Sequence, residues 1–511
     1  MPIKHEEHEV ITTAQEIVRL RSIDANNFRI YKQSIDARRK NNIHYEYQVV
    51  ANTDFDKEIL DKDIKYFDES ADIEFTKCSK IDKRPIVVGM GPCGIFAAYA
   101  LAKSGNPPII LERGGDVHER VLAIKKFRKF GELDPNSNVQ FGEGGAGTFS
   151  DGKLNTRISD PRQRFVLKTF VENGAPADIM YKSKPHIGTD KLRGVLKAMR
   201  KSLINMGTII KFNTRLTDIE IKDGKVTGVI INDSEKIECD TLVMAIGHSS
   251  RDTYEMLYKN GINMEQKAFA IGVRIEHRQE KIDELQYGSS KLGLPAAEYR
   301  VTYNGKDRSC YSFCMCPGGS VINASSEDGG LVVNGMSEHS RNGENANSAL
   351  VVNVNPSDFG DDSPLSGVEF QRKYERLAFE LGGGDYTVPV QLAKDFIRDR
   401  VSTGLCGVVP SCGEKYMFAE LKKCLPTFVV DTLKTGIRHF EGKMPGFEKG
   451  GAVLVGVETR TSAPLRILRN TDFESVNISG LYPAGEGAGY AGGIVSAAVD
   501  GIRVAQKICD N

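Results

Sequence analysis

Gly89, Gly91 and Gly94 stand in the spacing Gly-x-Gly-x-x-Gly, and Glu112 follows eighteen residues after the last of them. That set suits a dinucleotide. Gly89 permits a tight turn, Gly91 lets backbone approach a pyrophosphate that any Cβ would strike, and Gly94 lets a helix lie close on a strand. Pro92 and Cys93 fill the turn between them, where N–H groups at a helix start would meet the diphosphate. Glu112 can accept both hydroxyls of an adenosine ribose, and Arg113 beside it joins the cofactor set. An acid at that place disfavours a 2′-phosphate, so the motif selects FAD or NAD over NADP.

A second glycine-rich run, Val139 to Leu154, holds five glycines in eleven residues, at 142, 144, 145, 147 and 152. Gly144 and Gly145 offer backbone N–H groups, and Thr148 a hydroxyl, to a phosphate or flavin. A long surface loop has the same signature. Lys153, at its end, is a candidate cation beside a cofactor or an anionic substrate. His186, just ahead of a helix start, is a further candidate, although a hydrogen-bonded structural histidine reads the same way. Cys314-Met-Cys316 is the sharpest feature of the middle of the chain. In a strand the two thiols share one face, as a pair or as soft ligands. No further ligand lies near them, so no metal is assigned; small apolar fillers are the alternative. Asn334 and Arg341, with His339 between them, are substrate-binding candidates. Arg460 with Thr459, Thr461 and Ser462 makes a donor-rich cluster suited to a carboxylate or phosphate, unless Glu458 or Glu486 takes it up in a salt bridge.

The elements that must position these residues are legible around them. Ile86-Val87-Val88 is a β-branched run of the kind found in a buried parallel strand. An Ala-rich helix runs from about Pro92 to Ser104 and stops at Gly105, and Ile109 to Leu111 is the next strand. A charged helix covers about Val117 to Phe130. Another, capped by Thr189 or Asp190, runs to Asn205. Ile209 to Asp233 reads as strands with an Asp-Gly turn, followed by a buried strand, Thr241 to Ile246, that ends in Ala-Ile-Gly247. Leu481 to Gly501 gives a strand, a glycine loop with one acid, Glu486, and a small-residue helix starting near Gly493. Glu486 can accept ribityl hydroxyls or hold a water on phosphate, and the helix start favours negative charge at a reduced flavin. Between these parts, Ala270–Glu276, Tyr299–Asn304 and Ser309–Met315 read as strands of a sheet covering the cofactor. Ahead of them, a capped helix from Thr13, a second helix over Phe28–Arg38 and a strand over Ile43–Val50 suggest a small α+β domain. Asp54 to Asp72 reads as charged surface and linker.

Composition bounds the rest. The 511 residues carry two or three domains and have no net formal charge, so nothing points to nucleic acid or an anionic membrane. Ten scattered cysteines read as reduced thiols rather than a disulfide framework. The first residues lack a signal-peptide core and no apolar run reaches membrane length, which reads as a soluble cytoplasmic protein.

The three motifs Gly89–Glu112, Thr241–Gly247 and Leu481–Gly493 resemble the glutathione-reductase-like flavoproteins with two dinucleotide-binding domains. FGEGGAGTFSDGKL, PHIGTDKL, YSFCMCPGG, VNGMSEHSR and ETRTSAPLRILR resemble a bacterial family of FAD-dependent, or NAD(FAD)-utilising, dehydrogenases. The resemblance implies that Gly89, Gly91 and Gly94 hold the FAD pyrophosphate and Glu112 the ribose. It places Leu216 at the adenine, and Gly247, Gly485, Glu486, Gly493 and Ile494 around the ribityl and isoalloxazine. The superfamily has Asp where this chain has Glu486, which implies a longer or water-mediated contact. A disulfide reductase of that superfamily would carry a second GxGxxG and a CxxxxC, and neither is present.

The expected fold is therefore α/β: a Rossmann-like FAD-binding domain with parallel sheet and β-meander (83–250 and 443–511), an inserted mainly antiparallel α+β substrate domain (251–442), and a small N-terminal α+β domain (1–82). The expected activity is hydride transfer between flavin N5 and an organic substrate with an anionic group, or NADH as a transient reductant. The other class is a protein in which FAD is structural and the role RNA-modifying or regulatory. A small-molecule partner is expected, with neither nucleic acid nor membrane.

Overall fold

The computed structural model describes residues 1–54, 62–67, 73–79, 81–413 and 415–510. Most of the expected linker, Asp54–Asp72, lies outside the described residues. The chain opens on α1 (Glu7–Arg19), then an antiparallel ribbon of β1 (Asn26–Asp36) and β2 (His44–Asn52). Two expectations are corrected here. The helix starts at Glu7, six residues ahead of Thr13. Phe28–Arg38, expected as a helix, is mostly β1. Pairing with β2, and backbone bonds from Gln33 to Tyr181 and Ser183, outweigh its local helix propensity.

The nucleotide-binding part follows the expected order. It runs β3 (Ile86–Val88), α2 (Pro92–Lys103), β4 (Ile109–Leu111), α3 (Val117–Phe130), α4 (Arg162–Glu172), α5 (Thr189–Asn205) and β5 (Ile209–Lys211). The meander is β6 (Leu216–Lys222), β7 (Lys225–Ile231) and β8 (Glu235–Glu238), after which β9 (Leu242–Met244) returns to the parallel sheet. α5 is capped by Gly188 instead of Thr189 or Asp190. Those two side chains are turned to tertiary partners, the Thr148 carbonyl and the His339 N–H.

Beyond α6 (Arg251–Lys259) and β10 (Met264–Gln266) the middle sheet begins. Its elements are β11 (Phe269–Arg278), α7 (Gln279–Tyr287), β12 (Thr302–Asn304), β13 (Ser309–Cys316), β14 (Gly319–Asn323), β15 (Val333–Ser337), β16 (Asn345–Val354), α8 (Ser366–Leu381), β17 (Val388–Leu392), α9 (Ala393–Ile397), β18 (Tyr416–Phe418), α10 (Thr427–Lys443) and β19 (Val453–Glu458). Then β20 (Leu465–Ile467) pairs with β10, β21 (Leu481–Pro483) joins the parallel sheet, and α11 (Ile494–Asp510) ends the described chain. The parallel sheet has the order β21-β9-β3-β4-β5, and the large mixed sheet β12-β13-β16-β11-β19-β17-β18. Val453–Glu458 was expected in the nucleotide-binding part, yet it is a central strand of the middle sheet, between β11 and β17.

The inner strands β3 and β9 of the parallel sheet and β19 of the mixed sheet are buried along their whole length. Each of Ile86, Val87 and Val88 in β3 is buried, and Val87 sits beside Ile110 and Val243. Burying one such side chain is worth roughly 1.5–3 kcal/mol. α11 packs on α2, and small residues allow it: a Cβ on Gly501 would fall on the Cys93 carbonyl oxygen. The β3–α2 turn is equally tight, since a Cβ on Gly94 would fall on the Gly89 carbonyl oxygen.

His277, near the end of β11, sets an acid limit on this core. It is 3% exposed, and its Nε2–H donates to the Phe447 carbonyl at 3.0 Å. Burial pushes the imidazole down from 6.5 to about 4. The unfolded chain takes up this proton below the ordinary value, the folded chain only near the lowered one. Stability is therefore lost as pH falls through that window, by about 3 kcal/mol. His277→Gln keeps a donor and carries no charge. Urea melts at pH 7 and pH 4 are expected to show the wild type losing that much more than the variant.

Candidate functional site

A deep cavity runs between the parallel sheet and the middle sheet, lined by Gly89, Gly91, Pro92, Cys93, Glu112, Arg113, Gly145, Leu216, Gly247, Glu486, Gly493 and Ile494 on one side. Lys153, Cys314, Cys316, Asn334 and Arg460 complete it on the other. Residues far apart in the sequence thus meet at the ends of β3, β4 and β9 and at the starts of α2 and α11. The carboxyl ends of parallel strands are where an open α/β sheet leaves a crevice for ligands.

The turn after β3 has room for a cofactor where the motif places it. A Cβ on Gly91 would find only the Gly145 Cα, at 3.9 Å, and Cβ atoms on Gly247, Gly492 and Gly493 would meet nothing within 4 Å. All four glycines border the cavity. Glu112 is 4% exposed. It accepts backbone N–H groups from Met90 at 2.8 Å, Gly114 at 2.9 Å and Gly142 at 3.0 Å. It therefore clamps three loops as well as facing the cavity. Arg113 is paired with Asp252 and lies 4.2 Å from the Phe141 ring centroid. The Glu486 carboxylate has His248 Nδ1 3.4 Å away.

Six expected site residues stand behind the cavity instead of lining it: Gly94, Gly144, Thr148, Gly485, His186 and Arg341. Gly94 and Gly485 allow close packing, against Gly89 and Cys93 respectively. Gly144 donates its N–H to the Met90 carbonyl and ties the glycine loop to the β3–α2 turn. The Thr148 hydroxyl, expected on a phosphate, donates to the Glu143 carbonyl and accepts from Arg120. Arg120 on α3 is one residue that sequence reading missed. It has no exposed surface, and its guanidinium donates to the carbonyls of Asn138, Val139 and Glu143. An arginine in a charged helix carries no sign of such a role.

His186 packs on His339, ring centroids 5.3 Å apart, and its Nε2 lies 3.0 Å from the His339 carbonyl. Burial lowers its pKa. Arg341 grips Asp151 with two bonds, at 3.0 and 2.5 Å, and Glu298 with a third at 3.0 Å. Asp151 in turn pairs with Lys153 at 2.9 Å. Burial would raise the Asp151 carboxyl, but Lys153 and Arg341 outweigh it and hold it at about 2. The Lys153 ammonium also bonds the Met315 carbonyl, so it faces the cavity already neutralised.

Cys314 and Cys316 both line the cavity, but the strand between them is irregular. Phe313 pairs with Ala349 and Cys316 with Asn347, which leaves Cys314 and Met315 opposite Ser348 alone. That bulge puts Cys314 at φ 43° and exposes it to the cavity, while Cys316 is buried. Protein packed around the cavity wall pushes the Cys314 thiol up to about 12. All ten cysteines are free thiols.

Arg460 is not free for an anion. Its partner is neither Glu458 nor Glu486 but Glu375 on α8, reached through Nε at 3.0 Å and Nη2 at 2.7 Å. Its Nη1 donates to Ser249 and Ser326. Glu458 is instead held by Arg274, at 2.6 Å. Nothing in the sequence marks Glu375 or Arg274, because their pairing spans strands and helices distant along the chain.

Residues 84–291 match a family profile described as glucose inhibited division protein A. Residues 268–461 match one described as FAD-dependent protein, C-terminal domain-like, and residues 1–52 match a domain of unknown function. An uncharacterized protein of Clostridium beijerinckii is 54% identical over 497 residues, covering 95% of this chain and 93% of that one. The chain belongs to that protein's family. In this family member the first matched segment spans β3 to α7, and the second starts just before β11 and ends just after β19. Solved structures similar to this family member include a flavin-dependent brominase triple mutant, with 11% identity, covering 84% of this chain and 80% of that one at a TM-score of 0.39. Glycine oxidase from Bacillus cereus is 12% identical, covering 84% of this chain and 95% of that one at a TM-score of 0.32. Among the described residues no helix is long and apolar enough to cross a membrane.

Proposed function

We propose that the chain is an FAD-dependent oxidoreductase that acts on a small molecule in the cavity under the middle sheet. The observation that carries this is the glycine cradle. Gly91, Gly247, Gly492 and Gly493 border one cavity and leave Cβ-sized room there, in a chain whose residues 268–461 match a profile described as FAD-dependent protein, C-terminal domain-like. When bound, FAD supplies two-electron hydride exchange at its N5. The chain's part is placement. Gly89 and Gly91 with the start of α2 would receive the pyrophosphate, Glu112 the ribose, and Leu216 the adenine. Glu486 and the start of α11 would meet the ribityl and flavin ring, the helix end favouring negative charge there. The middle sheet would cover the ring, exclude water and carry the substrate contacts.

The purified protein is expected to be yellow, with a flavin band near ~450 nm. Anaerobic stopped-flow mixing with NADH and NADPH tests the electron source. Rapid bleaching by NADH marks a reductase and turns the search to acceptors. Bleaching by neither marks a dehydrogenase reduced by its organic substrate. A colourless folded protein would falsify the proposal, and a dithionite-reduced flavin that no acceptor reoxidises would favour a structural cofactor.

A further inference from the structure

Glu458 ends β19 with its carboxylate only half engaged. It is 4% exposed and lines the cavity. Its Oε2 accepts from Arg274 Nη1 at 2.6 Å, while Oε1 has no hydrogen-bond partner among the described residues. Arg274 cannot release it cheaply. The guanidinium has no exposed surface, and its other donors go to Asn347 on β16 at 2.9 Å, Asn334 on β15 at 3.4 Å and the Cys314 carbonyl on β13 at 2.8 Å. Four strands thus fix the acid, with one acceptor oxygen left for the cavity. Burial raises the Glu458 carboxyl and Arg274 opposes that rise. Phe313, 36% exposed, lines the same wall.

The cations of this wall are already spent. Arg460 is on Glu375, Lys153 on Asp151 and Arg274 on Glu458. A substrate carboxylate entering here would meet a carboxylate oxygen and no unpaired cation of the middle sheet among the described residues. A substrate ammonium would leave the buried pair with an excess positive charge, which a site of low dielectric disfavours. An uncharged O–H donor meets neither penalty and satisfies Oε1.

We propose that the substrate is an uncharged alcohol with an apolar body, that Glu458 Oε1 accepts its hydroxyl hydrogen, and that the Phe313 ring carries the body. This replaces the anionic substrate expected from Arg460, and it rests on the flavoenzyme reading above. The test titrates the oxidised yellow holoprotein at pH 7 with benzyl alcohol, benzylamine and benzoate, and reads the shift of the flavin band. Benzyl alcohol is expected to bind about 10-fold or more tightly than either charged analogue, as a hydrogen bond to a charged acceptor implies. Glu458→Gln, checked for unchanged FAD content, presents an amide to the cavity and is expected to abolish that preference. Tighter binding of benzoate to the wild type, no shift with any of the three, or an unchanged preference in the variant would overturn the assignment. The wild-type ranking stands without the variant, should the variant fold poorly. A colourless wild type would sink the flavin reading first, and this one with it.

Discussion

Gly91→Val is expected to yield a folded, colourless protein. Gly91 is the N-cap of α2 at φ −80°, a conformation open to any residue. Its added side chain would enter the cavity, where the first protein atom stands 3.9 Å from the new Cβ. The fold then loses only the small difference between Gly and an apolar N-cap, under about 1 kcal/mol. A dinucleotide loses the space its pyrophosphate needs. Gly94→Val, three residues on, is expected to fail differently. Its Cβ would fall on the Gly89 carbonyl oxygen and stand 3.3 Å from Val87 Cγ1, so α2 would have to lift off β3. Far-UV circular dichroism and the ratio of flavin to protein absorbance separate the outcomes. Both variants colourless and unfolded would mean that the space beside Gly91 is structural.

Glu375→Ala is expected to cost roughly 3–5 kcal/mol of stability, the usual result of stripping the partner from a buried ion pair. Glu375 is 1% exposed. It takes two bonds from Arg251, at 2.9 and 2.7 Å, two from Arg460, at 3.0 and 2.7 Å, and one from the Thr459 hydroxyl at 2.6 Å. Burial alone would raise this carboxyl. The Arg251 and Arg460 guanidiniums outweigh it and hold the group well below the usual carboxylate range. Removing the acid leaves Arg460 with only the Ser249 and Ser326 hydroxyls, whereas Arg251 keeps Glu327. The double variant Glu375→Ala/Arg460→Met is therefore expected to be more stable than the sum of the single changes predicts. Denaturant midpoints measure both. A loss under about 1 kcal/mol for Glu375→Ala would show that water reaches the guanidiniums and that the three segments are not tied through this acid.

The sequence by itself determined the cofactor turn. Strand, glycine spacing, helix and acid are set within a span of thirty residues, where each residue type answers a local demand: a turn, a close approach or a cap. The same holds for β6–β9 and for the start of α11, which also carry their signals in turns and short-range periodicity. Tertiary structure alone decided where the charges go. Arg460 finds Glu375, Arg341 finds Asp151 and Arg274 finds Glu458 across sequence separations of 85, 190 and 184 residues. A guanidinium accepts any nearby carboxylate, so its choice depends on which strands the sheet sets side by side, and no local pattern encodes that. Pairing also overrode local preference twice. β1 is a strand because β2 and residues 181–183 bond its edges, and Cys314 turns into the cavity because β13 has one residue too many for β16. The cavity wall follows the same rule. Glu458 reads in sequence as a salt-bridge partner of its neighbour Arg460, and only the registry of β19 against β11 hands it to Arg274 and leaves Oε1 for the cavity.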